Sequence, residues 1–259
     1  VSGRGFGVVI GAGAVLGLGY LFLRSHTASA SPREWGTRPA APRAGTFPPL
    51  VERWRSAVAQ RAQDLPVDAL LEWIRIESGG DMCSIGGPTE VGIFQLMFPG
   101  DAKYGATLEG LRAICEKSKQ QHPQDISWLS DAELDMEVSA GIRKVQDARD
   151  VVRKVLAQNH VTWPEHSFDF GSAVKQIHAT PGVITELLPK ITRDGGPPAN
   201  WAELRQRVNA LAPSQMSGTT PQGKPYGLRA LALAPSKHGL KNRLEDTMRN
   251  AEMVGHYWT

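Results

Sequence analysis

Eighteen consecutive residues without a charge, Phe6 to Leu23 (FGVVIGAGAVLGLGYLFL), stand between Arg4 and Arg24. A helix of that length spans roughly 27 Å, close to the hydrocarbon thickness of a bilayer. Gly7/Gly11 and Gly13/Gly17 repeat at the four-residue spacing that lets membrane helices approach closely. Ala28-Ser29-Ala30 has the form of a signal-peptide cleavage site, but Arg24 interrupts the approach to it, so residues 1–26 are read as a retained transmembrane segment with its flanks. Arg24, Arg33, Arg38 and Arg43 follow the apolar span and only Arg4 precedes it, which by the positive-inside rule would leave the bulk of the chain in the cytoplasm.

From Thr27 to Pro49 the composition turns to Pro, Ala and Ser (TASASPREWGTRPAAPRAGTFPP), without apolar periodicity, which predicts an extended tether over 27–49. The 259 residues are enough for one large domain or two small ones, and 50–259 is read as one folded domain. With 41% hydrophobic and 21% charged residues over the 259-residue chain, a packed core is expected. The net charge of +3 is small, and Lys and Arg are dispersed, so no nucleic-acid partner is expected. Cys83 and Cys115 have no CxxC partner. They fit a single disulfide in an oxidising compartment, and equally two thiols. The seven histidines show no HExxH or similar spacing, so neither metal nor cofactor is expected.

Within the domain the apolar residues recur at helical spacing and strand patterns are scarce, which predicts a mostly α fold. A first helix is read through LVERWRSAVAQRAQ, and a Gly/Pro-rich loop through SGGDMCSIGGPTEVG, followed by a helical region to about Lys119. A long helix is expected from Asp131 to Gln158, with Leu134, Val138, Ile142, Val145, Val152 and Val155 on one side. His166 to Leu188 reads as a helix pair broken at Thr180-Pro181-Gly182, and NWAELRQRVNALA and GLKNRLEDTMRNAEMVGHYW as the last two helices.

One helix carries an anomaly. In PVDALLEWIRIESGG, Val67, Leu70, Leu71 and Ile74 form an apolar stripe, and Glu77 continues it three residues after Ile74. Glu72 and Arg75 fall elsewhere on the wheel, as solvated charges. An acid in a buried stripe loses solvation, which favours its neutral form and suits it to general-acid chemistry. The competing reading is a helix that has ended, with Glu77 turned to water over the glycines.

Fifteen residues after Glu77 begins Gly92-Ile93-Phe94-Gln95, followed by Leu96-Met97, Pro99, Ala102 and Gly105. Glu77-Ser78 and this segment together resemble the lytic transglycosylases of the soluble (SLT) type, related to goose-type lysozyme: a catalytic Glu-Ser at a helix end, then Gly-Leu-Met-Gln and a Pro/Ala turn. DMEVSAGIRKV (Asp135–Val145) is similar to the helix before the family's third motif, and IHATPGV (Ile177–Val183) to its Ala-Tyr-Asn-Ala-Gly-Pro-Gly segment, with Ile177-His178 where the family has Tyr-Asn. The likeness is strongest over 64–188.

The resemblance implies a lysozyme-like helical domain that cleaves the β-1,4 bond between N-acetylmuramic acid and N-acetylglucosamine in peptidoglycan glycan strands. Glu77 would protonate the leaving oxygen and then take the proton of the muramic acid 6-hydroxyl, closing a 1,6-anhydro ring. Ser78 would orient Glu77. Gly92, Ile93, Phe94, Gln95 and His178 would bind the sugar. Hydrolysis would need a positioned water, commonly with a second carboxylate, for which Asp81, Glu90 and Asp101 are the nearby acids. Two settings fit an enzyme tethered to the membrane by residues 6–23 with its domain facing the periplasm: a bacterial envelope enzyme serving a secretion complex, or a phage virion protein ejected to open the wall. The second escapes the charge conflict around the apolar span. The missing Tyr supports the alternative, a structural or glycan-binding component that keeps the fold without catalysis.

Overall fold

The computed structural model describes residues 47–218, 225 and 227–258. The apolar span 6–23 and all but the last residues of the tether lie outside them, and among the described residues no helix is long and apolar enough to cross a membrane.

The expected mostly α character holds: helices follow the apolar stripes, and their starts coincide with side chains that accept orphan N–H groups. Ser130 opens its helix with a full capping box to Glu133, and Thr107, Ser167, Asn200 and Asn242 each accept a backbone N–H of the first turn. In chain order the helices are α1 (Pro49–Glu52), α2 (Arg55–Ala59), α3 (Val67–Ser78), α4 (Leu108–Ser118), α5 (Asp131–Leu134), α6 (Ala140–Gln158), α7 (Phe168–Ala179), α8 (Leu188–Gly195), α9 (Trp201–Ala210), α10 (Gly227–Leu233) and α11 (Arg243–Gly255). A π turn over Asp135–Ser139 joins α5 to α6, so the long helix expected over 131–158 is continuous but locally widened. Helix α7 runs through the middle, packed against α6, α9 and α11, and α11 in turn covers α3. Trp54, Trp73, Trp201 and Trp258 are fully buried in one continuous core.

Four expectations need correction. The first helix is two short ones, because the chain turns at Arg53–Trp54 and sends the Trp54 ring into the core, where its indole N–H donates to the Gly80 carbonyl at 2.9 Å. The Gly/Pro-rich stretch after α3 is not all loop: β1 (Ile85–Gly87), β2 (Glu90–Val91) and β3 (Leu96–Met97) form an antiparallel sheet in that order, with Val91 opposite both Ile85 and Leu96. An additional helix, α10, precedes the last one. Glu72 is buried rather than solvated, held by a two-pronged ion pair with Arg75 at 2.6 and 2.7 Å. The two cysteines form a disulfide, Cys83–Cys115, tying the chain just before β1 to the end of α4.

Candidate active site

Helix α3 ends at Ser78 because Gly79 takes a left-handed conformation (φ 66°) and returns its N–H to the Arg75 carbonyl. Gly80 follows at φ 86°, and a Cβ there would meet the Leu50 carbonyl at 2.2 Å. These glycines therefore end the helix and admit α1 against it.

Glu77, in the last turn of α3, is only 4% exposed, so the stripe reading holds and the water-facing one does not. The expectation that its surroundings are merely apolar fails. Helix α7 delivers two basic side chains to the carboxyl: Lys175, whose ammonium forms an ion pair with Glu77 Oε1 and is itself 1% exposed, and His178, whose Nε2 lies 3.3 Å from the same oxygen. Trp73, one turn before Glu77, completes the cluster. The Lys175 ammonium lies 4.4 Å from the centre of its ring face and the His178 ring meets it edge-on at 5.3 Å.

Burial, helped by the nearby Lys144 ammonium, depresses His178 to about 3, outweighing the pull of Glu77. The imidazole is therefore neutral at working pH. With Nε2–H assigned as the donor to Glu77, Nδ1 is the bare nitrogen, in keeping with its lack of a hydrogen-bond partner among the described residues. Lys144 itself is held 2.5 Å from Asp101.

The segment Gly92–Gln95 is fastened to this helix end from two sides. The Ser78 hydroxyl lies 2.9 Å from the Ile93 carbonyl and 3.0 Å from that of Ile74, and accepts the Gly80 N–H at 3.1 Å. The Ile93 N–H donates to Glu137 Oε2 at 3.2 Å. Both backbone polar groups of Ile93 are thus satisfied by side chains from α3 and the π turn. Gly92 is required on two counts: its φ is 81°, and a Cβ would stand 2.9 Å from Glu137 Oε2.

Of the residues expected to touch the sugar, His178 does reach Glu77, but Ile93, Phe94 and Gln95 are 0%, 1% and 2% exposed. The Gln95 amide is spent on the carbonyls of Ser84 and Gly92, both at 2.8 Å, and its backbone is left-handed (φ 50°). These three side chains therefore build the turn from inside, and Ser78 is its fastener. Asp101 is committed to Lys144 and to the Met97 N–H, and Asp81 accepts the Cys83 N–H.

Sequence reasoning missed Lys175 and Glu137. Lys175 stands in the run Phe168, Gly171, Lys175, His178, at helical spacing. Glu137 lies between Leu134 and Gly141 on the buried side of its helix. A charge inside an apolar stripe, the signal that singled out Glu77, was present for Glu137 but not for Lys175, whose row holds a glycine and a histidine. Glu137 is 1% exposed and its Oε1 has no partner among the described residues. Burial raises it from 4.5 to about 8, against the opposing pull of the Ile93 N–H and the Arg53 guanidinium.

Among the described residues no group of three or more His, Cys, Asp or Glu side chains is placed to hold a metal ion. A cavity of about 280 Å³ opens beside the residues after Glu77, lined by Arg53, Asp81, His122, Asp125 and Trp128 among others, but it does not include Glu77. No family model, no curated protein and no solved structure matches the chain.

Proposed function

We propose that this chain is a peptidoglycan lytic transglycosylase that opens the wall locally, with Glu77 as the single general acid and base. One observation carries the reading. The segments whose order and spacing resemble the SLT family, Glu77-Ser78, Gly92–Gln95 and the end of α7 at His178, meet at the end of α3: His178 reaches the Glu77 carboxyl, and the Ile93 carbonyl of the second segment is bonded to the Ser78 hydroxyl beside it. The protein contributes a proton donor, an imidazole to fix the carboxyl, and a rigid turn. The sugar's own 6-hydroxyl serves as nucleophile, so no second carboxylate is engaged. The disulfide supports folding in an oxidising compartment, in keeping with a domain facing the periplasm. Membrane attachment through residues 6–23, and service in an envelope secretion complex or a phage virion, belong to the same reading.

Digestion of purified peptidoglycan with products identified by mass spectrometry tests it. We expect 1,6-anhydro-muropeptides from the wild type and none from Glu77→Gln. Reducing-end products would indicate hydrolysis instead.

A second reading, a glycan-binding or structural component without catalysis, is favoured by the Glu77–Lys175 pair itself. A carboxylate already neutralised by a buried ammonium has no proton to donate. A folded wild type that binds glycan strands and yields no product at any pH would establish it.

A further inference from the structure

The tension between those readings centres on Lys175, whose contact with Glu77 no part of the proposed reaction requires. We infer that Lys175 sets the charge of Glu77, so that the carboxyl rests ionised and must take up a proton before it can act as the acid. This rests on the transglycosylase reading and adds its regulation: the site works on the acid side.

The geometry leaves the ammonium little alternative. Lys175 is 1% exposed, in ion-pair contact with Glu77 Oε1, and stands over the Trp73 face at 4.4 Å, a position that suits a cation and gains nothing for a neutral amine. An ammonium in contact with a carboxyl favours the ionised form. The other charged or titratable groups around the cluster do not reverse this. On α7, His178 is neutral. On α6, Lys144 is a second cation, neutralised by Asp101 at 2.5 Å. On α3, Glu72 is matched by Arg75, and on α11 the buried Asp246 is taken by Ser236 and the Lys237 N–H and the buried Glu252 by Arg205 and Arg249.

The proton balance is closed. Solvent protonates Glu77. That proton passes to the leaving oxygen as the bond between the muramic acid anomeric carbon and that oxygen breaks. The muramic acid 6-oxygen bonds to the anomeric carbon, and its proton returns to Glu77. Nothing is consumed, so acidity governs how much enzyme is competent, not the stoichiometry. Lys175 transfers no proton in this sequence and acts only on the Glu77 carboxyl. It is a positioning residue acting through Glu77.

The test uses the full chain on purified peptidoglycan, following anhydro-muropeptide formation from about pH 4 to about pH 9. Wild-type activity is expected to fall as pH rises, and Lys175→Met to move that descending limb upward by roughly 1–3 pH units, so that the variant is about tenfold or more faster at neutral pH. Lys175→Arg keeps the cation and should keep the wild-type limb. Lys175→Gln, which retains a donor to the carboxyl, serves if the Met variant does not fold. Superimposed limbs for active wild type and Lys175→Met or Lys175→Gln overturn the inference and leave the transglycosylase standing.

A second measurement separates the two claims. Infrared spectra of chain carrying carboxyl-labelled Glu, with Glu77 assigned by difference from Glu77→Gln, should show carboxylate at neutral pH in the wild type and the protonated acid in Lys175→Met. A protonated Glu77 in the neutral wild type overturns the inference whatever the activity. A wild type with no anhydro product at any pH overturns the transglycosylase, and with it the acid dependence of catalysis; the spectra then decide the charge assignment by themselves.

Discussion

Replacing Glu137 with glutamine exchanges a titratable carboxyl for a neutral amide of nearly the same shape, at a site that offers it one N–H donor, that of Ile93 at 3.2 Å. The folded carboxyl ionises at about 8, raised chiefly by burial, against an ordinary value of 4.5. The sign follows from counting protons. Below about pH 4.5 folded and unfolded chains both hold the proton, and this residue adds no pH dependence. Between 4.5 and about 8 the unfolded chain has released it while the folded chain keeps it, so stability falls by up to about 1.4 kcal/mol per pH unit. Above about 8 both are ionised and the loss levels off, on the order of a few kcal/mol in total. Glu137→Gln has no such slope. The glutamine NH₂ brings donors to a place where Oε1 has no partner among the described residues, at a cost of about 1–3 kcal/mol. The variant should therefore be less stable than wild type in acid and overtake it as pH rises through the window. Urea unfolding of both chains from about pH 4.5 to about pH 9 measures this. For a domain of roughly 200 residues each kcal/mol also moves the melting temperature by about 2–4 °C. Two curves offset by a constant would refute the reasoning, because they would mean that Glu137 titrates alike folded and unfolded.

Two further substitutions probe what holds the turn. Cys115→Ser opens a loop closed over a sequence separation of 32 residues, and chain entropy puts the loss at about 3–4 kcal/mol; an unchanged denaturation midpoint under oxidising conditions would show that the tie restrains nothing the fold does not already restrain. Gly141→Ala places a methyl 2.1 Å from Phe94 Cδ2 in the core, so it should destabilise by about 1–3 kcal/mol and lower the yield of anhydro-muropeptides by shifting the Gly92–Gln95 turn. Stability and yield both at wild-type level would mean that α6 can back away from the turn freely.

The helical architecture was legible because it rests on local periodicity. The stripes of α3 and α6, and the break between α7 and the helix after it, can be read from spacing alone. What escaped is non-local. Splitting the first helix depends on Trp54 finding the Gly80 carbonyl, 26 residues away, and the small sheet depends on pairings that a Gly-rich sequence does not announce. At the site, Glu77 was found because an acid interrupts an apolar stripe, but its partner lies 98 residues on, and no property of α3 specifies it. The Gly92–Gln95 segment lies against the end of α3, but its side chains, expected at the sugar, are buried. Two left-handed residues, Gly92 and Gln95, turn its side chains into the core, where they make the turn rigid.

Glu72, Glu77 and Glu137 are all buried, and the structure resolves each differently. Glu72 takes a two-pronged arginine from its own helix turn, a local solution. Glu137 receives a single backbone N–H and has no cation in hydrogen-bond contact among the described residues, so it keeps its proton to about pH 8. Glu77 receives a lysine and a neutral imidazole from a distant helix. Only the last combines a carboxyl whose charge is set by one removable partner with a second group that fixes its orientation irrespective of that charge. On the proposed reaction, acidification adds the proton Glu77 needs while Glu137 already holds its own. Alkali takes both. The Glu137 contribution to stability and the activity should therefore decline together as pH rises, the second through Lys175 and Glu77. Because the two terms sit on different residues, Glu137→Gln should flatten the alkaline loss of stability and leave the activity limb in place, whereas Lys175→Met should move the limb and, because it raises Glu77, add a second loss of stability with rising pH. A Glu137→Gln variant that moved the activity limb would show that the Ile93 bond and the Glu77 ion pair form one unit.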